Sequence, residues 1–164
     1  SVERGDRVAL KGRNGCGKSS ILKLLIGENI SFSGNFNIGT NLVISYISQD
    51  TSFLRGNLKD FTEHSCIDES LFKAILRKLD FSRSQFEKNM EDFSEGQKKK
   101  VLLAKSLCEK AHIYIWDEPL NFIDVLSRIQ IENLILEYRP TMIFVEHDQS
   151  FADDVSTKCV EIRN

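Results

Sequence analysis

The segment that most constrains this chain is Gly12-Arg13-Asn14-Gly15-Cys16-Gly17-Lys18-Ser19. It matches GxxxxGK[ST] and sits between a short strand, Arg7–Lys11, and a helical stretch over residues 20–26, the context that motif requires. Glycines let backbone N–H groups close around phosphate oxygens, and the start of the following helix adds partial positive charge. With glycine near 7% of residues, a chance match in such a chain is roughly a one-in-two-hundred event, so a glycine turn that binds nothing is a weak alternative. Residues 12–19, with Ser20 behind them, are therefore the expected phosphate site. Lys18 is expected to reach the β- and γ-phosphates of a nucleotide, and the Ser19 hydroxyl to ligate Mg²⁺.

Elsewhere the apolar pattern alternates between strand and helix. Strands are expected over residues 33–38, 42–48, 113–116, 141–145 and 159–162, with Gly27 closing the first helix. Helices are expected over 57–65, 68–79 and 82–89, and a longer one begins at Ser94, where Ser94 and Gln97 can form a capping box. An amphipathic helix is expected over 124–137 and a last one over 149–156. Phe32, Phe36, Phe53, Phe61, Phe72, Phe81 and Phe86 read as core and helix-packing residues rather than a base-stacking platform. The alternation argues for one domain over residues 1–164: a three-layer α/β core (1–49 and 110–164) with a helical insertion over about 50–109.

Composition removes some functions. A formal net charge of −2 gives no global attraction to nucleic acid or an anionic membrane. No apolar run approaches the roughly 20 residues needed to cross a bilayer, and no signal peptide is expected. Cys16, Cys66, Cys108 and Cys159 lack metal-ligand spacing and read as free thiols in a reducing cytoplasm. Oxidation of Cys16, inside the phosphate loop, would block the nucleotide, although no redox role is expected. The opening residues Ser-Val-Glu-Arg-Gly-Asp read as the end of a turn, so the chain is expected to be part of something longer.

A second constellation carries chemistry. The run Ile113-Tyr114-Ile115-Trp116-Asp117-Glu118 is an apolar strand ending in two adjacent carboxylates. At a parallel strand's C-terminal end these would emerge beside the phosphate loop. Asp117 can hold Mg²⁺ through water, and Glu118 can orient or deprotonate an attacking water. Alone, such carboxylates are usually solvated turn residues; following a phosphate loop, they are a strong signal.

Four further stretches then resemble those of the ATP-binding cassette (ABC) family. Phe93-Ser94-Glu95-Gly96-Gln97 resembles its LSGGQ signature, and Gln49 resembles its Q-loop glutamine. Residues 120–124, ending in Asp124, resemble its D-loop, and His147 its switch histidine. With the two motifs above they occur in the family's order over nearly the whole chain. The resemblance implies a P-loop NTPase fold with an inserted helical signature subdomain and the family's first strands missing. It also implies ATP and Mg²⁺ as ligands, with Ser19, Gln49 and Asp117 on the metal and Glu118 and His147 as catalytic residues. It further implies head-to-tail pairing with a second cassette, from the same parent chain or a second copy. Ser94, Glu95, Gly96 and Gln97 would then face the partner's ATP, and hydrolysis would be confined to the paired state.

Departures from the family pattern matter. Glu95 replaces the first of the signature's paired glycines and would either slow closure or point at solvent. Strands absent before Ser1 would carry the adenine-stacking aromatic, which implies weak ATP binding by this stretch alone. Lys98-Lys99-Lys100 reads as a solvated helix face, with RNA phosphate contact as the lesser alternative. Among cassette proteins, Asp117-Glu118-Pro119-Leu120-Asn121-Phe122-Ile123-Asp124 and Glu146-His147-Asp148-Gln149-Ser150-Phe151 look like the soluble ABC-F wording. The Ser94-to-Lys100 and Trp116-to-Asp124 wording is similar to the second cassette of its antibiotic-resistance branch. That implies a cytoplasmic ATPase partnered with the large ribosomal subunit. The competing reading is the motor subunit of an ABC membrane transporter. A DNA-repair cassette is disfavoured, because no long coiled coil interrupts the chain.

Overall fold

The computed structural model describes residues 1–162. Its sheet has five strands: β1 (Arg7–Lys11), β2 (Ile44–Ile47), β3 (Ile113–Asp117), β4 (Met142–Val145) and β5 (Lys158–Glu161), in the order β2-β3-β4-β1-β5. β1 runs parallel to both β4 and β5, and β3 parallel to β4, with Asp117 opposite Val145 and Ala9 opposite Phe144. Parallel neighbours need crossovers, which the intervening helices supply, and strands covered on both faces read as continuous apolar runs. β4 is buried at every position.

Among the described residues the α-helices are α1 (Lys18–Leu25), α2 (Leu58–His64), α3 (Glu69–Lys78), α4 (Glu95–Cys108), α5 (Val125–Tyr138) and α6 (Gln149–Val155). By contacts the chain divides into two compact units. The first comprises residues 1–46, 111–118 and 139–162 among those described, the second 47–110 and 119–138.

In the first unit, Val8, Leu10, Ile115, Ile143 and Val145 pack with Leu22 of α1. Phe144, which alternates with Ile143 and Val145, meets Phe151 of α6 edge-on at 5.8 Å between ring centres. Period-two alternation thus puts α1 on one face of the sheet and α6 on the other, which is the three-layer arrangement.

In the second unit α2, α3 and α4 begin at side-chain caps from Asn57, Asp68 and Ser94. Ser94 and Gln97 form the expected capping box, with Gln97 Oε1 accepting from the Ser94 amide at 2.9 Å. Phe72, Leu76, Leu79, Met90, Val101, Leu103, Ile131 and Ile135 are buried there. The Ser127 hydroxyl of α5 donates to the Leu79 carbonyl at the end of α3.

Several local expectations fail for identifiable reasons. Residues 33–38 form no strand: their apolar members Phe36 and Ile38 are exposed, so alternation there has no sheet to lie on. Residues 83–87 tighten into a 3₁₀ turn rather than an α-helix, although Ser82 and Gln85 still form a capping box. Phe72 and Phe81 are core residues as expected, but Phe32 and Phe53 are more than half exposed. Helix α5 is not amphipathic: it buries Ser127, Ile131 and Ile135 while Val125, Leu126 and Ile129 face solvent. Lys99 and Lys100 are buried, not a solvated face, since α4 also buries the run Val101-Leu102-Leu103-Ala104 and so is covered nearly all round.

Candidate active site

The first unit brings together the phosphate loop, both carboxylates and the histidine. Each follows the C-terminal end of a strand: Gly12 after β1, Glu118 after β3, Glu146 and His147 after β4. Because β1, β4 and β3 are adjacent and parallel, these ends share one edge of the sheet, the position where α/β folds bind ligands.

The loop's shape depends on its glycines. A Cβ on Gly12 would lie 2.6 Å from Cys16 Sγ and 2.9 Å from the Ile162 carbonyl oxygen, so no larger residue fits. Gly17 takes φ 94° in the left-handed region, directing the chain into α1, which has no side-chain cap. Lys18 is buried, and its ammonium donates to the carbonyls of Gly12 at 2.9 Å and Arg13 at 3.1 Å. Two neutral acceptors hold the cation inside the loop, where an anionic phosphate oxygen would pair with it more strongly.

Asp117 ends β3 with only 2% of its surface exposed. Tyr46 lies near it on β2, where burial, then the charges of Asp117 and Glu28, pushes the phenol up to about 12. Ser19 and Asp117 offer hard oxygen donors, a hydroxyl and a buried carboxylate. That fits Mg²⁺, which takes one or two protein oxygens and completes its shell with phosphate and water.

Glu118 turns sharply out of the strand. Its amide still donates to the Val145 carbonyl at 3.0 Å, extending the β3–β4 ladder by one residue. Its own φ is 50°, a left-handed conformation that costs a non-glycine residue about 1–2 kcal/mol. The reward is orientation: Glu118 Oε1 lies 3.0 Å from His147 Nε2. A carboxylate only accepts, so the imidazole Nε2–H donates to it.

Gln49, Ser94–Gln97 and Asp124 belong to the second unit. Lys99 Nζ donates to the carbonyls of Ser48 at 2.9 Å and Gln49 at 3.0 Å. The Thr51 hydroxyl donates to Glu95 Oε2 at 2.6 Å, and Lys98 pairs with Glu95 Oε1 at 3.3 Å. Glu95 is thus engaged within its own unit, and the bond from Thr51 is what chiefly holds its carboxyl below its ordinary range.

A Cβ on Gly96 would lie 2.4 Å from the Phe122 carbonyl oxygen, so the signature glycine lets the first turn of α4 approach the 120–123 backbone. Asp124 accepts from the Ser127 amide and hydroxyl and pairs with Lys100 at 2.6 Å. Burial would raise its carboxyl, but the Lys100 and Ser127 bonds hold it well below the usual range. The contacts of Thr51, Lys99 and Lys100 were not foreseen from the sequence; the apolar run following the lysines was the available signal.

The ABC transporter family matches residues 1–121. ATP-binding protein Uup from Buchnera aphidicola is 34% identical over 96% of this chain and 28% of its own length. ABC transporter F family member 2 from Arabidopsis thaliana is 29% identical over 100% of this chain and 25% of its own. The chain therefore spans about a quarter of the length of these relatives. A solved structure titled as the ATP binding subunit of an ABC transporter superposes with a TM-score of 0.81 over 99% of this chain and 76% of its own. At 22% identity it shows the shared fold.

Proposed function

Because the chain belongs to the ABC transporter family, we propose that it is an ABC-F-type cassette that binds ATP at residues 12–20 and hydrolyses it with Glu118 and His147. It closes as an ATP-dependent clamp on a second cassette, and the parent protein works on the ribosome. The observation that carries hydrolysis is the 3.0 Å contact between His147 Nε2 and Glu118 Oε1, at a glutamate held in a left-handed turn.

The residues divide the work by chemistry. Amides of residues 15–20 bind the phosphate oxygens, and Lys18 exchanges its two carbonyl partners for the β- and γ-phosphates. Ser19 and Asp117, with Gln49 by family analogy, would hold Mg²⁺, which would offset charge on the phosphoryl oxygens. Glu118 accepts a proton from water as its oxygen bonds to the γ-phosphorus and the bond to the β-bridging oxygen breaks. His147 orients that carboxylate. Ser94, Gly96 and the start of α4 present backbone donors to the partner cassette's ATP, so two cassettes complete each site.

The ABC-F reading is supported by the Arabidopsis relative's name and by the stretch from Asp117 to Asp124. Protection from drugs acting on the large subunit is the finest part of the proposal and rests on wording around Ser94 and Trp116 alone. No helix of the described residues is long and apolar enough to cross a membrane.

Co-sedimentation with ribosomes tests the proposal, using the full-length protein carrying Glu118→Gln and the matching change in any other cassette. ATP-dependent movement into the ribosome fraction is expected. Failure to sediment with ATP binding intact would favour a transporter motor. Unchanged inhibitory drug concentrations in a susceptible bacterium expressing the wild-type protein would remove the resistance role alone.

A further inference from the structure

Lys99 is the most unusual side chain in the second unit. It is 3% exposed, yet it carries an ammonium whose described partners include two backbone carbonyls, Ser48 O and Gln49 O. The Asp50 and Glu95 carboxyls both feel its charge, so the ammonium sits where segment 48–51 meets the start of α4. One turn earlier on the same helix, Glu95 accepts from the Thr51 hydroxyl at 2.6 Å. The two contacts grip segment 48–51 from both sides of Asp50. Asp50 itself closes a local turn, its side chain accepting from the Ser52 amide at 2.9 Å and its carbonyl from the Ser48 hydroxyl at 2.7 Å. The backbone at Gln49 is thereby fastened to the first two turns of α4, the helix that begins at Ser94.

We propose that Lys99 and Glu95 are positioning residues that make Gln49 and the Ser94–Gln97 turn one mechanical body. The inference deepens the ATPase reading and rests on it for Gln49's contact with Mg²⁺ and the γ-phosphate. Under that reading, a displacement of Gln49 on nucleotide binding is delivered directly to the turn that meets the partner cassette. The glutamate in place of a signature glycine then has a positioning role, reaching back to Thr51 rather than towards a phosphate. Lys99 sets where the Gln49 carbonyl sits, and Glu95 sets how segment 48–51 leaves it.

The test uses the full-length protein with Lys99→Met, Lys99→Arg and Thr51→Val. Methionine keeps the buried stem and the helix but supplies no donor; arginine keeps the cation and can reach the same carbonyls. Hydrogen exchange of the peptide spanning residues 48–52 should speed up in Lys99→Met and in Thr51→Val, with α4 itself still protected. Lys99→Arg should restore slow exchange. In steady-state hydrolysis, Lys99→Met should lower kcat on the order of tenfold with KM for ATP little changed, as expected for a misplaced catalytic contact.

Wild-type exchange at residues 48–52 in Lys99→Met would overturn the proposal, as would a kcat unchanged by that variant in an active enzyme. Loss of protection throughout α4 would also overturn it, because the lysine would then be holding the helix rather than the segment. An inactive wild-type protein would refute the ATPase reading, and the exchange measurements would still decide whether the tether exists.

Discussion

His147 Nε2 and Glu118 Oε1 lie 3.0 Å apart across two neighbouring parallel strands. The strand register sets the pair: Asp117 stands opposite Val145, Glu118 is the next residue on one strand, and His147 follows two places on the other. The pair is therefore a product of sheet packing as much as of side-chain chemistry.

His147→Ala removes the donor that faces Glu118 Oε1. We expect kcat for ATP hydrolysis to fall about 10²- to 10³-fold, with KM for ATP changed far less. Steady-state phosphate release measures both. A kcat within twofold of wild type would make the contact incidental.

Gly12→Ala tests the loop's close packing. The new Cβ meets Cys16 Sγ at 2.6 Å and the Ile162 carbonyl at 2.9 Å, and the second of these is backbone. Affinity for ATP should drop about tenfold or more as the loop shifts. Calorimetric titration would show it, and adding Cys16→Ser should not restore binding, because the backbone collision remains. Restoration by that second change would mean the sulfur alone sets the limit.

Gly96→Ala sets two effects against each other. Alanine in place of glycine within a helix gains about 1 kcal/mol. The new Cβ, however, would sit 2.4 Å from the Phe122 carbonyl oxygen, an overlap that costs roughly 1–3 kcal/mol to relieve. The collision should win, lowering the thermal midpoint by a few degrees. An unchanged or raised midpoint would mean that the 120–123 backbone yields easily.

The legible parts of this protein were those where local sequence and tertiary packing agree. Strand β1, the phosphate loop and the capped start of α4 follow from short-range chemistry, and their bounds in the structure lie within a residue or two of the expected ones. Residues 33–38 misled, because alternation predicts a strand only where a neighbouring strand accepts its hydrogen bonds. The lysines of α4 misled for the opposite reason. A run of like charge normally marks a wet face, and only distant residues, Ser48 and Gln49 for Lys99 and Asp124 for Lys100, reveal that these two are enclosed. Glu95 could be recognised as a departure, but its partner Thr51 lies 44 positions away and no spacing rule connects them.

Asp124 supplies a stability test that depends on pH. Against the cost of burial, its bonds to Lys100 and Ser127 hold the native carboxyl below its ordinary value of 3.8. A depressed native value means that the charged form is the stabilising one. The contribution is complete above the ordinary value and is lost as pH falls from 3.8 through the native value. Asp124→Asn keeps an oxygen for the Ser127 amide but removes the charge facing Lys100, whose own side chain is nearly buried and would be left with an uncompensated cation. The variant should therefore unfold at lower denaturant than wild type at pH 7, and the gap should narrow steadily below pH 3.8. Lys100→Met, measured alongside, should weaken the same acid dependence by letting the Asp124 carboxyl rise towards its ordinary value. A gap between Asp124→Asn and wild type that stays constant across the acid range would show that Asp124 acts only as a helix cap for α5, with its charge contributing nothing to the fold.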